Sequence, residues 1–422
     1  MKEQLHCATT VRRVSVSSFR ALRRRACFPI SARDRNVSCR PMCPPVGEQL
    51  VVIGPTPPPT HGVAVFTTRM LTSLRSLGLL AGHLDTTDDR SLENLGRLEF
   101  TNVRLGIWHA LKLARLLVLN PGVAVYLPLA PSRWGFVRDA VFIAVARAWR
   151  RRVYVHLEGG RGLDSLYATA GFVLRWLIRT TTSSVHQVWA LTPTLASECG
   201  RLFPPDRARV VGNVVEDPLR SAAEPSSSAR AGDAASNGLN ILYLSNLIPE
   251  KGCFDLLDAL DLLGEQANGW RVRMVGDAPD PSVRAAIARR AKELPEGVRV
   301  ELPGCVTGPA KEREYRWAHV FVLPTSYPFE GQPLAILEAL GAGLPILSTW
   351  HAGIPDTVRN RGEGMLVPPG DPRALGGALV TLAADASLRA KLARRARQRY
   401  QEAYTPKRLD GDLEHLLGER PR

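Results

Sequence analysis

PTSYPFEGQPLAILEALGAGLPILSTWHAG, residues 324–353, is the stretch on which the reading of this chain turns. It follows Val320–Leu323 (VFVL), a run with the length of a buried strand, and contains Pro333–Leu340, an apolar run of helical length. The loop between them carries Glu330 and Gly331. Pro333 suits a first helical position, where its missing N–H costs nothing. The unpaired N–H groups of that helix start form an anion-binding mouth facing the loop.

Glu338 stands out on this helix, because it shares a face with Leu334 and Gly341 and every other position is apolar. A carboxylate there needs a partner, since burial alone would neutralise it. The partner is either a Lys or Arg elsewhere in the fold or the hydroxyls of a ligand. Glu330 also has two readings, as a charge favourable to the helix dipole or as part of a site.

Taken together, Glu330 and Glu338 straddle a helix N-terminus eight positions apart, and the Ala-Leu-Gly-Ala-Gly-Leu-Pro turn and a strand follow. This pattern resembles the E-x7-E motif of the retaining glycosyltransferases of family 4. The resemblance spans roughly residues 50–420, with its specific motifs concentrated in the C-terminal half.

Length and composition bound the reading. A chain of 422 residues can hold two or three domains, and 45% hydrophobic with 23% charged residues is ordinary for a globular protein. The net charge of +15 is uneven: residues 1–50 carry ten Lys/Arg against three Asp/Glu. The rest is only mildly basic, so no nucleic-acid partner is expected. Seven cysteines show no paired metal spacing, which points to a reducing, cytoplasmic compartment without a disulfide frame. No run of eighteen apolar residues reads as a membrane span.

Residues 1–47 are rich in Arg, Ser and Pro without hydrophobic periodicity, and read as a disordered basic segment or a transit-peptide mimic. Translation starting at Met42 is the third reading. From Leu50–Gly54 (LVVIG) onward, strand-like and helix-like runs alternate: helix Val63–Leu77, a helix near Leu105–Leu119, Val123–Leu127, helix Phe136–Trp149, Val153–Leu157, helix Leu163–Thr180, Val188–Leu191 and Ala208–Val214. Residues 221–238 are Ser/Ala/Gly-rich and read as a linker. The alternation then restarts at Ile241–Ser245 and continues to the amphipathic piece Arg408–Leu417. The rhythm predicts an α/β fold with two doubly wound, Rossmann-like halves facing a cleft. The resemblance implies the GT-B architecture: residues 48–220 for the acceptor, 239–400 for the nucleotide sugar, and 401–422 as a C-terminal helix.

Further positions bear on the chemistry. Lys251-Gly252 follows the strand Ile241–Ser245 and opens a helix. A cation in a first helical turn opposes the dipole, so Lys251 is either a solvated surface charge or the partner of a bound diphosphate. The family pairs this Lys with an Arg, and this chain has Asn246 where that Arg is expected. Gly62, beside His61, precedes a helix after the first strand; it is an ordinary turn or the family's glycine loop. His156 ends a strand, where a His is either packed or, as the resemblance implies, in contact with the donor sugar. Asn213 matches the strand before the interdomain crossing, as a turn residue. Arg147, Arg150, Arg151 and Arg152 read as a solvated helix end, or as an attraction for an anionic membrane surface or a lipid-diphosphate acceptor. Asp410-Gly411-Asp412 fits a metal-binding D-x-D but lies on a helical piece near the C-terminus, and reads as surface.

The resemblance implies transfer of a sugar, with retention, from a nucleotide-diphosphate sugar to a hydroxyl of a glycan or lipid-linked glycan, without a metal or other cofactor. Polysaccharide assembly at the inner face of a membrane is the setting it implies. Glu330, His156 and Lys251 would be catalytic. Asn246, Lys251, Gly331, Gln332, Pro333, Leu334, Glu338 and Gly62 would bind the donor. Two competitors remain: a nucleotide-sugar epimerase or dinucleotide oxidoreductase, whose G-x-G-x-x-G is missing after both Gly54 and Gly252, and a non-catalytic assembly protein of the same fold.

Overall fold

The computed structural model describes residues 47–58, 62–87, 100–219 and 238–418. The expectations for the basic N-terminal segment, for His61 and for the linker at 221–237 lie outside these residues. The described residues all fall in one compact unit.

The N-terminal half is built from β1 (Leu50–Gly54), α1 (Gly62–Ser76), β2 (Leu80–Asp85), α2 (Phe100–Leu119), β3 (Ala124–Pro128), α3 (Arg133–Ala148), β4 (Val153–Leu157), α4 (Gly162–Thr169), α5 (Phe172–Ser184), β5 (Gln187–Ala190), α6 (Pro193–Cys199) and β6 (Ala208–Val210). Its six strands are all parallel, in the order β2-β1-β3-β4-β5-β6. The inner strands β1, β3, β4 and β5 are mostly apolar and buried, covered on both faces, which is why they read as unbroken runs rather than alternating ones. One face packs on Leu113, Phe136, Ile143 and Ile178 of α2, α3 and α5. The other packs on Phe66, Met70 and Leu74 of α1.

The C-terminal half repeats the plan with β7 (Asn240–Leu244), α7 (Cys253–Leu263), β8 (Arg271–Val275), α8 (Pro281–Glu293), β9 (Arg299–Gly304), α9 (Gly308–Trp317), β10 (Val320–Leu323), α10 (Leu334–Gly341), β11 (Ile346–Thr349), α11 (Ile354–Thr357) and β12 (Gly364–Val367). The order is β12-β11-β10-β7-β8-β9. Strand order reverses between β7 and β10, and in open α/β sheets ligands lie outside the carboxyl ends at such a reversal. Three helices close the chain: α12 (Pro372–Ala384), α13 (Ala386–Ala403) and α14 (Pro406–Gly418).

The chain crosses between the halves twice. Val215 N–H donates to the Tyr404 carbonyl at 2.9 Å. Beyond it, α14 returns to the first half, where Leu409, Leu413 and Leu417 join the core under α1. The C-terminal helix is therefore a structural part of the N-terminal half.

Several sequence expectations shift. The helix expected over Leu163–Thr180 is two helices, α4 and α5, because the chain is extended at Ala170 and Gly171 between them. Strands β2 and β12 had no counterpart in the sequence reading; β2 is interrupted by Gly82 and His83, and β12 holds only three apolar residues after Gly364. The strand expected over Ala208–Val214 stops at Val210.

Candidate active site

Lys251 and Glu330 meet at the reversal between β7 and β10. Lys251 ends a 3-10 turn, Pro249–Lys251, that leaves β7, and α7 begins only at Cys253. The lysine thus precedes the helix rather than lying in its first turn, which corrects the dipole argument for it. Gly252 separates the two elements with φ +78°, and a Cβ there would run into the Pro324 carbonyl at the end of β10. Only glycine lets the two strand ends approach this closely.

The Lys251 ammonium lies 2.6 Å from Glu330 Oε2, with side-chain exposures of 15% and 7%. Thr325 Oγ1 is 3.1 Å from the same oxygen. The Tyr327 ring sits 4.6 Å from the ammonium. The loop is welded underneath by Ser348 and Thr349 of β11, whose hydroxyls donate to the Leu323 and Thr325 carbonyls at 2.6 Å. Lys251 therefore has a charge partner already, and Glu330 is held in one orientation.

Pro333 is the N-cap of α10 instead of its first residue, with Leu334 opening the helix. Glu338, on α10, takes the cationic reading: Lys311 Nζ of α9 lies 2.6 Å from its Oε2 and the Tyr315 hydroxyl donates to it at 2.7 Å. Its carboxylate remains about one-fifth exposed, at 19%. Gln332 faces away from the loop. Its Oε1 accepts from Asn213 N–H at 2.7 Å, its carbonyl accepts from Asn213 Nδ2 at 2.9 Å, and its Nε2 donates to Thr357 at 3.2 Å. Gln332 and Asn213 are thus a tie between the halves, where the sequence suggested a donor contact and a turn residue.

The N-terminal half closes on this loop from the ends of β4 and β5. A Cβ on Gly331 would clash with the Glu158 carbonyl and the Leu191 side chain, and one on Gly160 (φ +46°) with the Glu330 carbonyl. Thr194, at the start of α6, donates its N–H to Asp356 at 2.8 Å.

His156 does not reach the pair. It is fully buried, with Nδ1 2.9 Å from the Tyr126 hydroxyl and Nε2 3.1 Å from the Val211 carbonyl. Burial pulls it down to about 3, so it is neutral, and both nitrogens are spent. The packed reading replaces the sugar contact. Gly62 opens α1, and a Cβ there would meet nothing within 4 Å, so no close approach demands glycine. Asn246 is exposed in the loop after β7.

Glu158 is the residue that sequence reasoning passed over. It follows β4 directly, its Oε1 is buried without a hydrogen-bond partner, and burial raises its carboxyl to about 8. It is neutral at pH 7. The run Leu157-Glu158-Gly159-Gly160 was visible in the sequence, and a strand-end carboxylate before two glycines was the available signal.

The arginine cluster lies elsewhere. Arg147, Arg150, Arg151, Arg152, Arg207 and Arg209 line a cavity of about 400 Å³ beside the starts of β4, β5 and β6. That is the amino edge of the sheet, at the opposite ends of the strands from Glu158. Of the D-x-D, Asp412 pairs with Arg408 at 3.0 Å on α14. Among the described residues no group of three or more His, Cys, Asp or Glu is placed to hold a metal ion.

Comparison with known proteins agrees with the fold. Residues 238–385 match the sequence family described as Glycosyl transferases group 1. HepE of Anabaena, crystallised with UDP and glucose, superposes with a TM-score of 0.65 over 87% of this chain and 99% of its own, at 14% identity. The fold is GT-B, and the chain resembles the family-4 sugar transferases. WcaL of Escherichia coli, named for colanic acid biosynthesis, is 31% identical over 45% of this chain and 47% of its own length. AmsK of Erwinia amylovora, an amylovoran biosynthesis glycosyltransferase, is 30% identical over 36% and 37%. The matched stretches thus span less than half of WcaL and of AmsK.

Proposed function

We propose that the protein is a retaining glycosyltransferase that moves a sugar from a nucleotide-diphosphate donor to a hydroxyl of a glycan or lipid-linked glycan. The setting is cell-surface polysaccharide synthesis on the cytoplasmic side of a membrane. The observation that carries this reading is the buried Lys251–Glu330 pair at the strand-order reversal, faced by the end of β4. The names of WcaL and AmsK and the UDP and glucose bound to HepE point the same way.

Each group has a task under this reading. Glu330 Oε2 is held by Lys251 and Thr325, which leaves Oε1 to accept from a donor-sugar hydroxyl. The Lys251 ammonium has three donors, so one can stay on Glu330 while another meets the leaving diphosphate. The first N–H groups of α10 add to that stabilisation of developing charge. Glu338, oriented by Lys311 and Tyr315, takes the ribose hydroxyls. The neutral Glu158 carboxyl supplies the polar contact from the N-terminal half that His156 cannot make. The leaving phosphate takes the acceptor proton, and closure of the halves excludes water.

Asn246 favours a second reading, a non-catalytic assembly protein of the same fold, because the second cation of the diphosphate site is missing there. A transfer assay separates the two. With a nucleotide sugar and a lipid-linked acceptor, anomeric configuration followed by NMR is expected to be retained, and Glu330→Gln to abolish transfer. Inversion would overturn the mechanism, and no transfer with any donor would leave the assembly reading.

A further inference from the structure

Helices α2, α3 and α5 lie side by side over one face of the N-terminal sheet, with α3 packed between the other two. Their inner sides are core. Their outer sides are unusual for a solvated surface. Ten of the fourteen large apolar side chains left exposed among the described residues belong to these helices or to Trp149 at the end of α3. On α2, Ile107, Trp108 and Leu111 are 58%, 50% and 65% exposed; on α5, Phe172, Val173 and Trp176 are 84%, 75% and 60% exposed. The spacings 107-111-118 and 172-176 put each set on one stripe, opposite the buried Leu113, Leu117 and Ile178. Contiguous exposed apolar surface of this kind marks an interaction site.

The charge on the same helices is of one sign. Neither α2 nor α5 contains an Asp or Glu, and the single carboxylate of α3, Asp139, is buried beside Arg138. Arg104, Lys112, Arg115, Arg133, Arg175 and Arg179 are exposed among the apolar side chains. The Lys112 ammonium lies 3.3 Å from the Trp108 ring centre, an aromatic and a cation presented together. Two such faces from two copies of the chain would bring cation against cation. No helix among the described residues is long and apolar enough to cross a membrane, so the apolar side chains cannot belong to a span.

We propose that the outer side of α2, α3 and α5 docks on an anionic lipid bilayer. Phe172, Trp176 and Trp108 sit at the headgroup boundary and the cations meet acidic headgroups. The N-terminal half, which takes the acceptor under the reading above, is then the half held against the surface. The inference goes beyond that reading and does not depend on it, because the docking requires no donor chemistry.

The test is flotation of the full chain with phosphatidylcholine vesicles, with and without phosphatidylglycerol. The expected result is flotation with the anionic vesicles, weakened by salt. Arg175→Gln and Arg179→Gln lower the partition roughly fivefold for each charge removed. The Phe172→Ser/Trp176→Ser double variant loses it while its far-UV dichroism and Tm match the parent, since both side chains are exposed. Three results overturn the proposal. The first is no flotation with anionic vesicles. The second is flotation that the face variants leave unchanged, which would assign it to the basic N-terminal segment. The third is a dimer in solution abolished by Trp176→Ser without any flotation, which would assign the face to a second copy.

Discussion

Lys251 and Glu330 stand 79 residues apart in the chain and 2.6 Å apart in the fold. Each follows a strand that borders the reversal of strand order in the C-terminal sheet. Breaking a buried pair leaves an uncompensated charge, which costs about 3–5 kcal/mol. Lys251→Ala is therefore expected to destabilise the protein by about that amount. Glu330→Gln keeps the shape and the Thr325 contact, and should cost less while abolishing transfer. Urea unfolding of both variants checks the order; equal and small losses would mean that the pair is not buried in solution.

Glu158 and His156 lie two residues apart and titrate with opposite consequences. Glu158 is raised from 4.5 to about 8, so the unfolded chain sheds its proton first. Stability from this group is present below about 4.5 and falls by up to about 1.4 kcal/mol per pH unit until about 8. Unfolding free energies of Glu158→Gln against the parent should diverge over that window and run parallel above it.

His156 is lowered from 6.5 to about 3, so the unfolded chain takes up the proton that the fold refuses. Its contribution is full above 6.5 and is lost as pH falls towards 3, again by up to about 1.4 kcal/mol per unit. His156→Gln should unfold less steeply in acid than the parent. The activity profile of the parent should show no limb near pH 6.5 that disappears in this variant.

Gly160 is where the N-terminal half touches the Glu330 carbonyl. Gly160→Ala meets both a φ of +46° and a clash across the cleft. The halves are expected to part, which small-angle scattering would record as a larger radius of gyration. Misplacing the facing groups by about 1 Å should slow transfer about a hundredfold.

The fold was legible because buried parallel strands and their helices leave periodic apolar runs that need no knowledge of neighbours. Leu50–Gly54 and Val320–Leu323 are such runs. The loop carrying Glu330 was legible as a motif, and Lys251 as a cation near a strand end. What the sequence withheld were partners. Nothing local in Glu338 says that Lys311 and Tyr315, on the preceding helix, answer its charge. Nothing local in His156 says that Tyr126 and Val211 consume both nitrogens. Glu158 escaped notice because the isolation of its Oε1 is a property of what surrounds it. Likewise α14 reads as a terminal appendage until its three leucines are seen in the first half's core.

Ligand-dependent stabilisation against a panel of nucleotide sugars tests the central claim most directly. Each variant is compared with itself, with and without ligand, so the stability loss of Lys251→Ala does not intrude. A donor at a hundredfold its Kd should stabilise the parent by about 2.7 kcal/mol, and the increment should vanish in Lys251→Ala and Glu338→Ala. An increment that survives in both variants, or its absence with every nucleotide sugar, would contradict a donor site built on these residues.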